Sequence, residues 1–483
     1  MVLRIRQWLT AHGVEAAIFL VLFAACLPSF ASADFGWHLR TGQLIFETHA
    51  IPYSDPFSYT FAGQRWITHE WLSELLLYTA YRFGGYAAVI AVFGLIGAAA
   101  YWLAFYRAEG PLYSCLPVLA LAVWAAHPTF LVRPQVFTLF LFSLFCFLLE
   151  THRRTSDWRP LVALPLLTIL WVNLHGGYII GPAVIGLFLA GYVLDAMADA
   201  SARQKLGIRA AQLGAALLAS LAVVPINPNG FRLYTYPFET LSSPTQQTLL
   251  TEWQPPSPTH FLFFPFFLLV GLCVLALPLR RKTLRPGEIL FVTFFAVAAL
   301  HSMRHMALFS VASIPLLSGW RLAPLPWRIP QLLRYAAFVV LVLLCGWRWR
   351  ASMAGAATFE HTRFPADAVA FLRSNPPAGR IFNAYAFGGY LVWRLYPEYR
   401  VYMDGRADLY GDAFLARFNE LYQGETDPQP EFLRRDIRTA MVEPGAPIDR
   451  LLSFTRGWHK VYQDSVAIIY MRDDALPPAL PGT

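Results

Sequence analysis

The first 350 residues are divided into apolar runs long enough to cross a bilayer, separated by short segments that carry arginine. Eleven such runs are legible, at roughly 13–32, 86–106, 111–127, 134–150, 159–173, 177–195, 210–226, 259–279, 287–302, 305–320 and 332–348. A helix needs about 20 apolar residues to span the hydrocarbon core, fewer where neighbours help. Pro117, Pro165 and Pro182 fall inside runs, which a helical bundle tolerates because adjacent helices re-satisfy the backbone. Composition agrees: 56% of the 483 residues are hydrophobic and 14% charged, where a soluble chain carries about 25% charged. The charge is uneven. Residues 1–350 hold 38 charged side chains and residues 351–483 hold 30, so the expectation is a polytopic α-helical membrane domain over 1–350 and a soluble domain over 351–483.

Lysine and arginine bias sets the expected orientation. With the N-terminus in the cytoplasm, inner segments hold 16 Lys/Arg, among them Arg107, Arg153, Lys205, Arg280, Arg321 and Arg328. Outer segments hold eight, including Arg348 and Arg350 at the exit of the last run. An odd number of crossings then delivers the tail to the extracytoplasmic side of a bacterial inner membrane. The net charge of +8 is loop charge facing anionic lipid, not a basic stripe with interleaved aromatics, which excludes a nucleic-acid partner. The five cysteines lie inside apolar runs with no CxxC pair and read as small core residues. Arg4 and Arg6 before the first run, with Ala31-Ser32-Ala33 after it, also fit a leader cleaved before Asp34. The full length of the run and the ten that follow favour a retained span.

In this topology the unusual polar residues collect on the outer face. The first outer loop, 33–85, is long, and loops beyond about 15 residues are usually functional. It contains Asp34-Phe35-Gly36-Trp37-His38, Ser54-Asp55-Pro56 and Thr68-His69-Glu70-Trp71. Asp34 and His38, four apart, share a helical face and suit an acid/base pair or a metal. Thr68 reads as the cap of an amphipathic helix, with Glu70 and Glu74 one turn apart. His69-Glu70 is not a HExxH zinc motif, because Ser73 stands where the second histidine would be. Arg133, Arg304 and His305, at outer turns, are cations suited to grip a phosphate. Asn173 and His175 stand beside two glycines where a ligand can approach the backbone. Glu252 closes the fourth outer loop. Each has a plainer reading as an interfacial belt, a helix-dipole carboxylate, a snorkelling arginine or a tight turn.

The tail alternates helical stretches (358–376, 413–422) with strands at 380–383, 400–403, 439–442 and 466–470, the pattern of a small α/β domain. Asn383 to Tyr390 follows one strand, and Asp404-Gly405-Arg406 follows the next. Ligands gather at such strand ends in open α/β sheets. No phosphate loop or GxGxxG occurs.

Five segments carry a resemblance: D-x-x-W-H-L-x-x-G-x-x-I from Asp34 to Ile45, P-x-x-D-P-F-S-Y-T from Pro52 to Thr60, W-x-x-x-E-W-L from Trp66 to Leu72, N-L-H-G-G from Asn173 to Gly177, and D-G-R from Asp404 to Arg406. These segments together resemble a bacterial group of polytopic membrane proteins; the many spans, the acidic first loop and the extracytoplasmic tail, features of architecture more than of motif, resemble bacterial members of the GT-C glycosyltransferase superfamily. The resemblance implies a GT-C-like fold and transfer of a sugar from a polyprenyl-phosphate-linked donor. It implies Asp34 as general base, with Asp55 and Glu70 next as base or as ligands of a divalent metal. His38 and His69 would orient the acceptor or donate to phosphate, and Arg133 and Arg304 would hold the departing lipid phosphate. Asp34 is a single acid where the superfamily has an acidic pair or D-x-D, which leaves a metal cofactor open. A lipid or polysaccharide transporter and a non-catalytic envelope assembly protein are the competing readings. The sequence shows no internal repeat of the kind transporters carry.

Overall fold

The structure is a computed structural model that describes residues 2–30, 32–198, 203, 206–319 and 331–476. Ala31 of the expected cleavage site, Lys205, Arg321, Arg328 and the proline-rich end from 477 lie outside the described residues.

Contact clustering divides the chain into two units. The first comprises Met1–Pro28, Ala87–Pro237 and Leu250–Met353; the second comprises Ser29–Tyr86, Phe238–Leu249 and Ala354–Thr483. The helices that build the first are α1 (Val2–Ala25), the later part of α3 (Trp71–Tyr106), α4 (Leu112–Ala126), α5 (Gln135–Thr155), α6 (Arg159–Leu174), α7 (Ile180–Ala198), α8 (Leu206–Ala222), α9 (Phe264–Arg280), α10 (Pro286–His301), α11 (Met306–Ser318) and the start of α12 (Gln331–Thr362). A helix overlaps each of the eleven expected runs. Among the described residues six helices are long and apolar enough to cross a membrane, and four shorter apolar ones accompany them. The protein is a multi-pass helical membrane protein.

Helix α11 is the hub of this unit, buried along almost all of its length and packed on α4, α9 and α10. Its polar residues are satisfied locally. Ser310 and Ser313 bond back into the helix, and Tyr101 shares a 2.7 Å hydrogen bond with Ser310. Where α7 meets α10 the backbones touch, Gly191 against Gly287, the small-residue contact that lets membrane helices approach. Helix α3 breaks at Gly84 and Gly85, the latter at φ +57°, a conformation glycine adopts at no steric cost. The amphipathic half before the break belongs to the second unit and the apolar half after it to the first.

The second unit centres on a four-stranded sheet, β1 (Arg380–Asn383), β2 (Ile437–Val442), β3 (Trp458–Gln463) and β4 (Ile468–Arg472), in the order β1-β2-β4-β3. The β1/β2 pair is parallel and the other two pairs are antiparallel. Around it lie α13 (Ala366–Ser374), α14 (Tyr385–Leu395) and α15 (Ala407–Tyr422), together with α2 (Phe35–Thr48) from the first loop. Trp37, Phe57 and Trp66 of that loop are buried in one core with Leu372, Ile381, Leu391 and Ile469 of the tail, so the loop is part of this unit and not a strap over it. Residues 400–403, expected as a strand, lie outside the sheet: Val401 forms an isolated parallel bridge with Ser58 of the first loop. Strand β3 was not expected, because its WHKVYQ pattern is half polar and it lies largely exposed beside β4. The expected helix 358–376 is two helices, α12 ending at Thr362 and α13 beginning after Pro365.

Candidate functional site

In the second unit the chain turns into α2 at Asp34. The carboxylate stays at the helix start, where Oδ1 accepts from Trp37 Nε1 at 3.1 Å. Gly405 lies directly against that carboxylate, and a Cβ there would collide with Asp34 Oδ1. This is the physical reason for glycine in Asp404-Gly405-Arg406. Gly36 similarly meets the Gly389 carbonyl, and Gly389 meets the Ala33 carbonyl, which brings α2 onto α14 backbone to backbone.

One turn along α2, His38 is 2% exposed. Its Nδ1 faces Glu74 Oε1 at 3.2 Å and Glu70 Oε2 at 3.8 Å. His69 Nε2 meets the other Glu70 oxygen at 3.1 Å, while its Nδ1 meets the Ile67 carbonyl at 3.1 Å. Both ring nitrogens of His69 therefore face acceptors, which requires the imidazolium. Burial pulls the His69 pKa down, but the Glu70 carboxylate, Asp408 and the Ile67 carbonyl outweigh it and hold it above 6.5. Thr68, expected to cap α3, instead donates to the Pro52 carbonyl at 2.5 Å. Glu74 Oε2 is buried without a hydrogen-bond partner among the described residues. Glu74, Asp408 and Trp37 are members of this cluster that the candidate list lacked. Glu74 was signalled by its one-turn spacing from Glu70, whereas nothing local marked Asp408.

Asp55 and Asp404 are placed otherwise. Both carboxylates are buried against Arg406: Arg406 Nη2 lies 2.8 Å from Asp55 Oδ1 and 2.6 Å from Asp404 Oδ2, and Nε donates to Asp404 Oδ1 at 2.8 Å. The guanidinium lies over the Trp66 ring at 4.5 Å and the Phe57 ring at 5.1 Å. Asp55 also accepts from the Ser58 hydroxyl and the Phe57 amide. Its surroundings are those of a clamp between the first loop and the tail, where an open base needs an accessible oxygen. Among the described residues no group of three or more His, Cys, Asp or Glu side chains is placed to hold a metal ion.

In the first unit the outer-turn residues form a second cluster. Glu252 accepts from Arg133 Nη1 and lies 3.5 Å from Arg304 Nη2, and the Arg304 guanidinium covers the Trp253 ring at 4.6 Å. Burial would raise the Glu252 pKa, but the two arginines hold it at about 2. His305, expected as a cation, is held neutral: burial and the charges of Arg304 and His301 push it down to about 4. His175 Nδ1 accepts from Gly177 N at 3.0 Å and pairs with Thr138 Oγ1 at 2.7 Å, and that oxygen accepts from Trp171 Nε1. The neutral ring then carries its proton on Nε2. Asn173 is a tie between turns, with Nδ2 donating to the Ile169 and Ile226 carbonyls and Oδ1 accepting from Asn227.

No protein-family model and no curated protein matches the sequence. Solved structures do. The archaeal oligosaccharyltransferase AglB from Archaeoglobus fulgidus, in complex with an inhibitory peptide and a dolichol-phosphate, superposes with a TM-score of 0.57 at 10% identity, over 90% of this chain and 70% of that one. ArnT from Cupriavidus metallidurans superposes in its apo state at 0.52, with 15% identity over 98% of this chain and all of that one. Its complex with undecaprenyl phosphate gives 0.53 at 14% identity, over 96% and 98% of the two chains. The fold is GT-C. At these identities the likeness is one of fold, and it runs the length of the membrane helices and the tail together.

Proposed function

We propose that the protein is a membrane glycosyltransferase that moves a sugar from a polyprenyl-phosphate-linked donor to an extracytoplasmic acceptor. In this reading the chain crosses the inner membrane eleven times, with the N-terminus cytoplasmic and the C-terminal domain periplasmic. The observation that carries it is the buried His38–Glu70–Glu74 cluster one turn along α2 from Asp34, built by the first loop on a GT-C-like fold. The ligands of the solved structures support the choice of donor: a dolichol-phosphate on AglB and undecaprenyl phosphate on ArnT.

In the proposed reaction an acceptor hydroxyl or amine attacks the anomeric carbon. The bond from that carbon to the phosphate oxygen breaks, and the lipid phosphate leaves with the electron pair. The acceptor proton passes to Asp34, which lies at the start of α2 with Oδ1 accepting from Trp37 Nε1. Charged His69, held by Glu70, and His38 orient the acceptor. Arg133 and Arg304 receive the phosphate. Both arginines share Glu252 as a counter-ion. Electrostatic stabilisation of a leaving phosphate of this kind needs no nucleotide.

The test is release of undecaprenyl phosphate by the full-length protein in nanodiscs, read by mass spectrometry with a panel of undecaprenyl-phosphate sugars and a cell-envelope extract as the source of acceptor. One sugar should turn over, and Asp34→Asn should slow it about 10²–10⁴-fold, the usual contribution of a general base, with an unchanged melting curve. Envelope glycans unaltered on deletion of the gene, or a fully active Asp34→Asn protein, would refute the assignment.

A further inference from the structure

A second cavity lies at the other end of the membrane unit. Helices α3, α5, α7 and α9 finish there and α10 begins there, whereas the turns bearing Arg133, His175 and Arg304 lie at the far ends of the same helices. The space is about 670 Å³ counting its open mouth, and its lining includes Arg107, Glu150, Arg153, Tyr192, Arg280 and Glu288. The polar groups there divide sharply. The carboxylates have donors: Glu150 accepts from Arg153 and Arg154, Glu288 from Arg153, and Asp195 from the Gly287 amide.

Several donors have no acceptor. Arg107 is 4% exposed, and its Nε and Nη1 are buried without a partner among the described residues, as are Arg153 Nε and the Tyr192 hydroxyl. Leaving a charged donor unsatisfied in a buried site costs more than leaving a neutral one. Three side chains with unmatched donors on one cavity wall therefore call for an anionic oxygen. The rest of the wall, with Phe188 and Phe291, is apolar and suits a hydrocarbon chain.

We propose that this cavity binds the phosphodiester headgroup of a membrane phospholipid, with an acyl chain along Phe188 and Phe291. The local charge favours the smallest anion: Arg107, Arg153 and Arg280 line the cavity with Glu109, Glu150, Asp195 and Glu288, and Arg154 bonds Glu150 and Glu109, four cations to four anions. A monoester or pyrophosphate would overfill that balance. Basic pockets between membrane helices commonly take lipid headgroups, and a guanidinium fork fits two phosphate oxygens at once. The inference needs only the first unit and is independent of the transferase reading.

The experiment is native mass spectrometry of the full-length protein titrated with phosphatidylglycerol, undecaprenyl phosphate or inorganic phosphate. One phosphatidylglycerol should be retained above the detergent background and should resist millimolar inorganic phosphate. Arg107→Gln should weaken retention about tenfold or more, as expected for loss of a charge-assisted bond. Tyr192→Phe leaves no cavity and breaks no protein hydrogen bond; it should weaken retention about threefold with the parent melting curve. Equal retention by the parent and Tyr192→Phe, or no retained lipid, overturns the proposal. Displacement by inorganic phosphate, or tighter binding of undecaprenyl phosphate, overturns the phosphodiester assignment.

Discussion

Replacing Arg406 by methionine would leave Asp55 and Asp404, 3% and 0% exposed, without the cation that neutralises both. Methionine keeps much of the stem's contact with Trp66 and Phe57, so the loss is chiefly electrostatic. Removing one partner from a buried ion pair costs about 3–5 kcal/mol, because the remaining charge stays desolvated. Asp404 retains the Tyr410 hydroxyl at 3.1 Å and the Arg406 amide at 3.0 Å, and Asp55 retains Ser58 and the Phe57 amide, which keeps the expected loss near about 4 kcal/mol. The second unit has about 200 residues, and a domain of that size shifts roughly 2–4 °C per kcal/mol. Its melting transition should therefore fall by roughly 8–16 °C. The assay is thermal unfolding in nanodiscs, with hydrogen exchange followed at residues 55–60 and 401–406. Arg406→Lys should fall between parent and methionine, because it restores the charge without the fork. Asp55→Asn combined with Arg406→Met should be less than additive by about 2 kcal/mol, as contacting partners are. A methionine variant that melts within about 2 °C of the parent, or strict additivity in the pair, would show that the clamp does not hold the first loop to the tail.

Other expectations follow from the same geometry. His69 has a folded pKa above 6.5, so its contribution to stability is complete below the unfolded value and fades as pH rises through the folded one. His69→Gln should flatten that part of a stability-versus-pH curve, and an unchanged slope would count against the Glu70 pairing. Glu252 is depressed to about 2, so its contribution is present above the unfolded carboxylate value and disappears only as pH falls through about 2. Glu252→Gln should then lower the melting temperature equally from pH 5 to 9 while strengthening inhibition by added undecaprenyl phosphate, because Arg133 and Arg304 lose their counter-ion; weaker inhibition would contradict the assigned role of the arginines. Gly389→Val should destabilise the second unit by several kcal/mol, since its side chain meets the Ala33 carbonyl, a clash no rotamer relieves; normal protease resistance of the loop would refute the close approach of α2.

The alternation of apolar runs with arginine-bearing segments was enough to locate the membrane helices, because crossing lipid imposes a length and a polarity that survive any later packing. Three tail strands were legible for a similar reason: each is a short apolar run inside a charged domain. What could not be read was anything that depends on contact across the sequence. Val401 looks like a strand residue, yet its partner is Ser58, more than 300 positions earlier. Strand β3 is half polar and is a strand only because β4 is beside it. Within the candidate site, Asp34, His38 and Glu70 stood out as ionisable groups in an otherwise apolar chain, and Glu74 accompanies them at helical spacing. Asp55 looked equivalent to Asp34 because its counter-ion, Arg406, lies in a different segment. His305 looked like a cation because the burial that neutralises it has no local signature.

The interleaving of the first loop with the tail has a consequence for biosynthesis. Trp37, Phe57 and Trp66 leave the ribosome long before the strands that cover them, since roughly 300 residues separate Tyr86 from β1. At about 5–20 residues per second, these three aromatic side chains wait for roughly 15–60 s without their partners. Truncating the chain after α12 would therefore do more than delete a domain. It would strand the loop permanently in its nascent state, and such a fragment should be degraded or bound by chaperones even with every transmembrane helix inserted.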